Sequence, residues 1–416
     1  MVAVDHSAAP ANDEDWQQRI YDLLEAFTPG APIDELSLLA GRTKQIGDMI
    51  EVVMQRGQHA ILYGERGVGK SSLANTFSTR LLGGARTLSC IHINCHPSDD
   101  FSQVWRKVFR RLSYPDVNLT EKYPGEIHPD DVAIELSGFS LNTIPIIILD
   151  EFDKLTDEDA RNLIAHTIKN LSDERDVRAT VIIVGVASSV GELIEEHESI
   201  LRCLRQIPMQ RMFPSELQQI VKRRLPELGM DIQPDALAHI VALSRGLPHY
   251  THLVAQQAGK KALENRKLVV DMAHVDEALP DCINRTAQTV REQYHAATTS
   301  PRKENIYKEV LLAASLAQLD DLGYFQPVAL RTPLSALLKR DAPVSLYAQH
   351  LKNLADPDRG GILEQIGTHR RYRYRFSEPM MQPFILMNGL NNNLITKEQV
   401  MLLAATHYEP RLSSEF

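Results

Sequence analysis

Gly64-Glu65-Arg66-Gly67-Val68-Gly69-Lys70-Ser71 decides the fold, because the apolar run Ala60-Ile61-Leu62-Tyr63 precedes it and a helix-compatible stretch from Ser72 to Leu82 follows it. The spacing G-x-x-x-x-G-K-[ST] between a strand and a helix is that of a phosphate-binding loop. Its glycines let the backbone curl until successive N–H groups point at phosphate oxygens, and the helix behind adds its positive N-terminal end. The eight residues Gly64 to Ser71, together with Ser72, are therefore expected to cradle ATP. Lys70 would neutralise the β and γ phosphates, and the Ser71 hydroxyl would hold Mg²⁺.

Outward from the loop, two periods alternate from about Thr43 to Met212. Ile46, Met49, Ile50 and Val53 share a helix face, and the loop with its strand and helix follows. Next come a strand from Leu88 to Asn94 and a helix around Val104, Trp105, Val108, Phe109 and Leu112. A polar, proline-containing insert runs from Tyr114 to about Asp131, and buried strands are expected at Ile146–Leu149 and Val181–Val186. Such alternation implies a parallel sheet with helices on both faces.

From Pro214 to about Ala297 the pattern is purely helical, with Leu217, Ile220, Val221 and Leu225 along its first segment. Thr298-Thr299-Ser300-Pro301 marks its end. Helical patterns near Ile306–Leu316, Leu337 and Ser345–Leu354 then precede a strand pair, Gly361–Ile366 and Arg371–Phe376. Three helices and a two-stranded ribbon suggest a winged helix, followed by a helical stretch from about Pro379 to Tyr408.

Composition bounds the class of molecule. At 416 residues, with 43% apolar and 24% charged residues, the chain is long enough for several domains and has an ordinary globular balance. A net charge of -9 argues against a chain-wide nucleic-acid surface. Cys90, Cys95, Cys203 and Cys282 show neither metal-ligand spacing nor a disulfide framework, and a reducing cytoplasm fits them best. The first fifteen residues lack a basic, then apolar leader and read as a flexible tail. The longest apolar stretches fall far short of the roughly 20 residues that a membrane span requires, so no membrane partner is expected.

A phosphate loop needs a partner that holds the metal and the attacking water. Ile146-Ile147-Ile148-Leu149-Asp150-Glu151 supplies four buried strand residues ending in two carboxylates, about 80 residues after the loop. Asp150 would bind Mg²⁺ through its water shell. Glu151 would polarise the water that attacks the γ-phosphate.

Together these residues resemble the AAA+ superfamily, in the branch of the origin-recognition and replication-initiator ATPases and their STAND-type signalling relatives. The resemblance spans nearly the whole chain. Leu39-Ala40-Gly41-Arg42 looks like the element that frames the adenine in these families, which assigns Gly41 and Arg42 to the nucleotide. Leu149-Asp150-Glu151-Phe152-Asp153-Lys154-Leu155 is similar to the extended acidic motif of the initiators. By the same resemblance Ser188 takes the place of sensor 1, and Arg202 or Arg205 that of an arginine finger that reaches a neighbouring subunit. In Gly246-Leu247-Pro248-His249, the proline matches the STAND pattern in which it approaches adenine, whereas His249 stands where initiators carry the sensor 2 arginine. A lid contact to the γ-phosphate is then in doubt, and the pattern moves toward switch behaviour.

In the winged-helix segment, Ser345, Ala348, Gln349 and Lys352 form a polar helix face opposite Leu346, Tyr347 and Leu354. A helix so patterned suits a major groove. In the final strand Arg371, Arg373 and Arg375 share one face, free to meet phosphates, and Tyr372, Tyr374 and Phe376 the other. Residues 301 to 384 hold twelve Lys/Arg against nine Asp/Glu, a modest local excess. Double-stranded DNA and a protein surface both remain open as the partner of this segment.

The expected architecture is a flexible tail (1–14), an α/β P-loop domain (15–212), an all-helical lid (213–298), a winged helix (299–390) and a helical tail (391–416). The expected function is that of an ATPase using ATP and Mg²⁺, whose nucleotide state controls homo-oligomer assembly and engagement of DNA. The alternative is a STAND-like switch whose output lies in a partner protein.

Overall fold

The computed structural model describes residues 10, 12–29, 42–80, 87–112, 119–139, 143–175, 177–187, 190–193, 200, 202–300, 305–320, 322–368 and 371–405. By contacts the chain divides into two compact units. One comprises 32–65 and 69–210; the other comprises 1–31, 66–68 and 211–416.

The first helix, α1 (Asp13–Ala26), belongs to the second unit. The first unit runs α2 (Thr43–Met54), β1 (His59–Gly64), α3 (Lys70–Arg80), β2 (Thr87–Asn94), α4 (Phe101–Phe109), α5 (Leu119–Lys122), α6 (Pro129–Ser137), β3 (Thr143–Asp150), α7 (Glu158–Asp173), β4 (Thr180–Val186) and β5 (Leu204–Pro208). The strands form a parallel sheet of order β2-β3-β4-β1-β5. Every β3 residue from Ile144 to Asp150 is buried, as a central parallel strand covered on both faces requires. The core gathers Ile147 and Leu149 with Phe101, Trp105, Phe109, Ile164 and Ile168 from α4 and α7. Phe101, Trp105, Phe109 and Tyr123 run ring to ring at centroid spacings of 6.2, 6.4 and 5.5 Å.

Three elements here differ from the sequence expectation. The insert contains α6, where His128 N–H donates to the Asp131 carboxylate at 2.8 Å and Pro129 occupies the first turn. Helix α7 starts at Asp157, whose carboxylate accepts from Asp159 N–H and Ala160 N–H at 3.0 and 3.2 Å. Residues 204–208, to which the sequence reading assigns no element, form the edge strand β5 beside β1.

The second unit continues with α8 (Pro214–Glu227), β6 (Asp231–Ile232), α9 (Pro234–Ser244), α10 (Pro248–Glu264), β7 (Val269–Val270), α11 (Met272–Arg285), α12 (Gln288–Thr298), α13 (Tyr307–Leu316), α14 (Arg331–Leu338), α15 (Val344–Leu354), β8 (Leu363–Ile366), β9 (Arg373–Phe376), α16 (Met381–Asn391) and α17 (Lys397–Ala405). The purely helical reading of 214–297 gives way to one small exception, the parallel pair β6–β7. The three-helix and ribbon order is as expected, and a bridge between Phe325 and Tyr374 extends the β8–β9 ribbon.

Domain limits shift in two places. Helix α1 is not part of the sheet domain, because Ile20, Leu23 and Phe27 are buried against the unit that contains α10. Gly259 permits that approach, since a Cβ there would lie 3.1 Å from Leu23 Cδ1. The expected lid, winged helix and tail share one unit, with α11 and α13 packed on α16, and α17 packed on α9.

Candidate active site

The site lies at the carboxyl ends of β1 and β3, where open parallel sheets place ligands. Gly64 ends β1 at φ 149°, and a Cβ on it would fall 2.3 Å from the Met209 carbonyl oxygen at the end of β5. Glycine is therefore demanded by the neighbouring strand exit as well as by the turn. The chain enters α3 through Gly69 at φ 95°. Lys70, 8% exposed, donates from Nζ to the carbonyl oxygens of Gly64 at 3.0 Å and Glu65 at 2.8 Å, which places its ammonium inside the loop. Ser71 and Ser72 open α3, and Arg66 is exposed.

The carboxylates lie where the sequence placed them, and the structure supplies their environment. Asp150 is nearly buried; its Oδ2 meets His92 Nε2 at 3.2 Å and its Oδ1 accepts from Glu151 N–H at 2.7 Å. Burial raises its pKa, but hydrogen bonds from His92, Ser71 and the Glu151 backbone outweigh burial and hold it below the usual carboxylate value. Asp150 is thus an anion linked to the Ser71 side chain. Glu151 adopts φ 55° as the chain leaves β3, and its Oε1 receives Lys154 Nζ at 2.5 Å. It is ion-paired there, with both side chains close to half exposed.

Ser71, Asp150 and Glu151 line one cavity of ≈ 690 Å³ together with Asn75, His92, Asn94, Lys107 and Arg111. A serine hydroxyl and a carboxylate anion are hard oxygen donors suited to Mg²⁺, which keeps several waters and takes the rest from substrate phosphate. Among the described residues there is no cluster of three or more His, Cys, Asp or Glu that could hold a metal ion.

The residues carried over by resemblance fare unevenly. Gly41 and Ser188 lie outside the described residues. Arg42, 5% exposed, adopts φ 61° before α2 and donates to the Gln210 carbonyl at 2.7 Å, so it ties the start of α2 to the chain beyond β5. Arg202 is exposed in the turn before β5. Arg205 stands on β5, and its guanidinium meets Asp48 at 2.9 Å.

Pro248 and His249 begin α10 in the second unit. His249 Nδ1 lies 2.6 Å from the Pro29 carbonyl, an acceptor, so that nitrogen carries the proton. Burial lowers the His249 pKa more than the Pro29 bond raises it, and the ring is neutral at pH 7.

The nucleic-acid expectation is altered most. Ser345, Ala348, Gln349 and Lys352 do form an exposed face of α15, with Gln349 Nε2 donating to Asn353 at 2.8 Å. The strand arginines are not a free row. Arg373 meets Asp320 at 2.9 Å and Arg375 meets Glu364 at 2.7 Å, and both guanidinium groups lie over the Tyr324 ring. Arg371 precedes β9 and is exposed. Local sequence hid this because Asp320 is 53 residues from Arg373.

Sequence reading missed Asn75, His92, Asn94, Lys107 and Arg111 in the cavity. A signal existed: Lys107 and Arg111 stand four residues apart, off the apolar face of Val104, Trp105 and Val108.

The loop, the acidic strand end and the strand order coincide with a family match covering residues 53–193, to the AAA domain. Residues 53–193 are thus similar to an AAA domain. Over 368 residues the chain is 23% identical to the ORC1-type DNA replication protein 2 of Thermoplasma acidophilum, covering 80% of this chain and 86% of that protein. The fold is similar to that of the ORC2 protein of Aeropyrum pernix, solved in ADPNP-ADP complexes, at TM-score 0.51 and 15% identity over 92% of this chain and 98% of that one. A Walker-type ATPase of Pyrococcus abyssi is similar at TM-score 0.51 and 17% identity, over 86% and 99% of the two chains. No described helix is long and apolar enough to cross a membrane.

Proposed function

We propose that this AAA protein binds and hydrolyses ATP with Mg²⁺, and that its nucleotide state governs self-assembly and engagement of duplex DNA, as in an initiator-type switch. One observation carries the reading: the Ser71 and Asp150 oxygens and the Glu151 carboxylate open into a single cavity directly behind the phosphate loop. Nucleotide binding exchanges the Lys70 bonds to the Gly64 and Glu65 carbonyls for bonds to phosphate oxygens. Ser71 and Asp150 would hold Mg²⁺, which would neutralise charge on the β and γ phosphates. Glu151 leaves Lys154 and accepts a proton from the attacking water; the water oxygen bonds to phosphorus as the bond to ADP breaks, and ADP and phosphate are the products.

The DNA part of the reading rests on the name of the Thermoplasma relative and on the exposed face of α15. Lys352 and Arg371 are its cationic contacts. The assembly part rests on the exposed arginines Arg202 and Arg205 at the end of the AAA domain. Neutral His249 and the carboxylate-paired Arg373 and Arg375 favour a second reading, a switch whose partner is another protein.

Titration with a fluorescent ATP analogue tests the site. Lys70→Ala is expected to abolish binding. Retained affinity in Lys70→Ala would remove the nucleotide reading. Duplex binding across a salt series, with ATP and with ADP, separates DNA from protein as the partner. Nucleotide-dependent, salt-sensitive binding favours DNA; no binding in either state favours the protein partner.

A further inference from the structure

The cavity behind the phosphate loop has an acidic part, Asp150 and Glu151 at the end of β3, and a basic part that the metal and the attacking water do not use. Lys107 on helix α4 and Arg111 in the turn just past its end supply it. Lys107 Nζ is held by Asp99 at 2.5 Å and by the Asn94 carbonyl oxygen at 3.2 Å. Asp99 is itself buried and accepts from His96 N–H at 2.7 Å, so the pair is fixed to the loop that joins β2 to α4. Asp99 offsets the Lys107 charge. Arg111, one turn later, has no such offset: it is exposed, and among the described residues its guanidinium has no hydrogen-bond or ion-pair partner. Its own N–H donates to the Val108 carbonyl at 2.9 Å, which continues the helical turn and keeps Arg111 beside Lys107.

Size and charge point the same way. Six waters around a Mg²⁺ occupy roughly 180 Å³ at about 30 Å³ each. Most of a ≈ 690 Å³ cavity is left over. A phosphate dianion produced beside Asp150 and Glu151 is repelled by both carboxylates, and the guanidinium fork of Arg111 matches two of its oxygens.

We propose that Arg111, which lines this cavity with Lys107, is an anion-binding wall that takes inorganic phosphate once the γ-phosphoryl group has been cleaved. Hydrolysis at this site, as read above, supplies the phosphate; the anion site itself does not depend on it.

Calorimetric titration of inorganic phosphate into the full chain saturated with ADP and Mg²⁺, against a chloride blank of equal ionic strength, tests the proposal. The wild-type chain is expected to take up phosphate. Arg111→Ala is expected to weaken binding about tenfold or more, the size of a charge-assisted hydrogen bond, and Arg111→Lys to recover part of it. Arg111→Gln serves as a second neutral variant should Arg111→Ala melt early. No phosphate uptake by the wild-type chain, or equal affinity in the neutral variant, overturns the proposal. Turnover of ATP is followed separately. Arg111-dependent phosphate binding without ATP cleavage leaves the anion wall standing and removes the hydrolytic reading, whereas cleavage without such binding does the reverse.

Discussion

Replacing Glu151 by glutamine removes one oxygen's basicity at the mouth of the metal site and leaves the shape of the side chain. Glu151 is ion-paired with Lys154 at 2.5 Å, and the question is whether that pair withholds it from chemistry. Their side chains are 40% and 47% exposed, and such a pair contributes about 0.2–1 kcal/mol, so freeing the carboxylate costs at most about a factor of five. A positioned general base contributes about 10²–10⁴ in rate. The base effect therefore exceeds the pairing by more than an order of magnitude. Glu151→Gln is expected to lower turnover about 10²–10⁴-fold at saturating ATP with nucleotide affinity kept. Lys154→Met is expected to raise it by no more than about fivefold, an advantage that shrinks as salt rises. Phosphate release is followed under multiple turnover, with affinity measured in parallel. Gln occupies φ 55° no worse than Glu, so melting should stay within about 0.5 kcal/mol of the wild type. Turnover in Glu151→Gln within threefold of the wild type would refute the assignment of the base.

Three further outcomes are expected. Gly64→Ala sets a methyl 2.3 Å from the Met209 carbonyl and is expected to cost about 1–3 kcal/mol in urea unfolding, and an unchanged midpoint would contradict the tight exit of β1. If duplex DNA is bound, Lys352→Ala and Arg371→Ala should each reduce the salt slope by about one, and Arg373→Ala and Arg375→Ala by less, because their charges are already paired; equal effects from all four would contradict the pairing. His59, fully buried, accepts from Val181 N–H at 2.9 Å, and burial pushes its pKa from 6.5 to about 3. The folded chain stays neutral there while the unfolded chain protonates, so stability falls as pH drops from about 6.5 toward 3, by up to about 1.4 kcal/mol per unit for this group. His59→Asn, which keeps an acceptor, should flatten that part of the curve in denaturation at pH 7, 6 and 5; an unaltered slope would assign the dependence elsewhere.

The elements that sequence reveals best are those whose signal is local. The phosphate loop shows because its glycines, lysine and serine are contiguous, and β3 because a strand buried on both faces reads as an unbroken apolar run. Helix α6 is short and its N-cap residue His128 makes no side-chain cap bond, and β5 is a five-residue edge strand in which only Leu204 and Ile207 are buried, so neither stands out from its surroundings. Nothing in the residues of α1 says that its apolar side, Ile20 and Leu23, belongs to α10, more than two hundred positions away.

The chemistry expected here was readable from local residues alone: a phosphate cradle at Gly64–Ser71, an oxygen pair in Ser71 and Asp150 suited to a metal, and a carboxylate at Glu151 suited to a base, because each needs only neighbouring residues and one strand end. Only the tertiary structure decided which charges are spent. Asp48 takes Arg205, Asp320 takes Arg373, Glu364 takes Arg375 and Asp99 takes Lys107, whereas Arg111 is left facing the cavity. Ion pairing depends on distance in space, and three of those four partners come from separate elements whose meeting is a property of the fold.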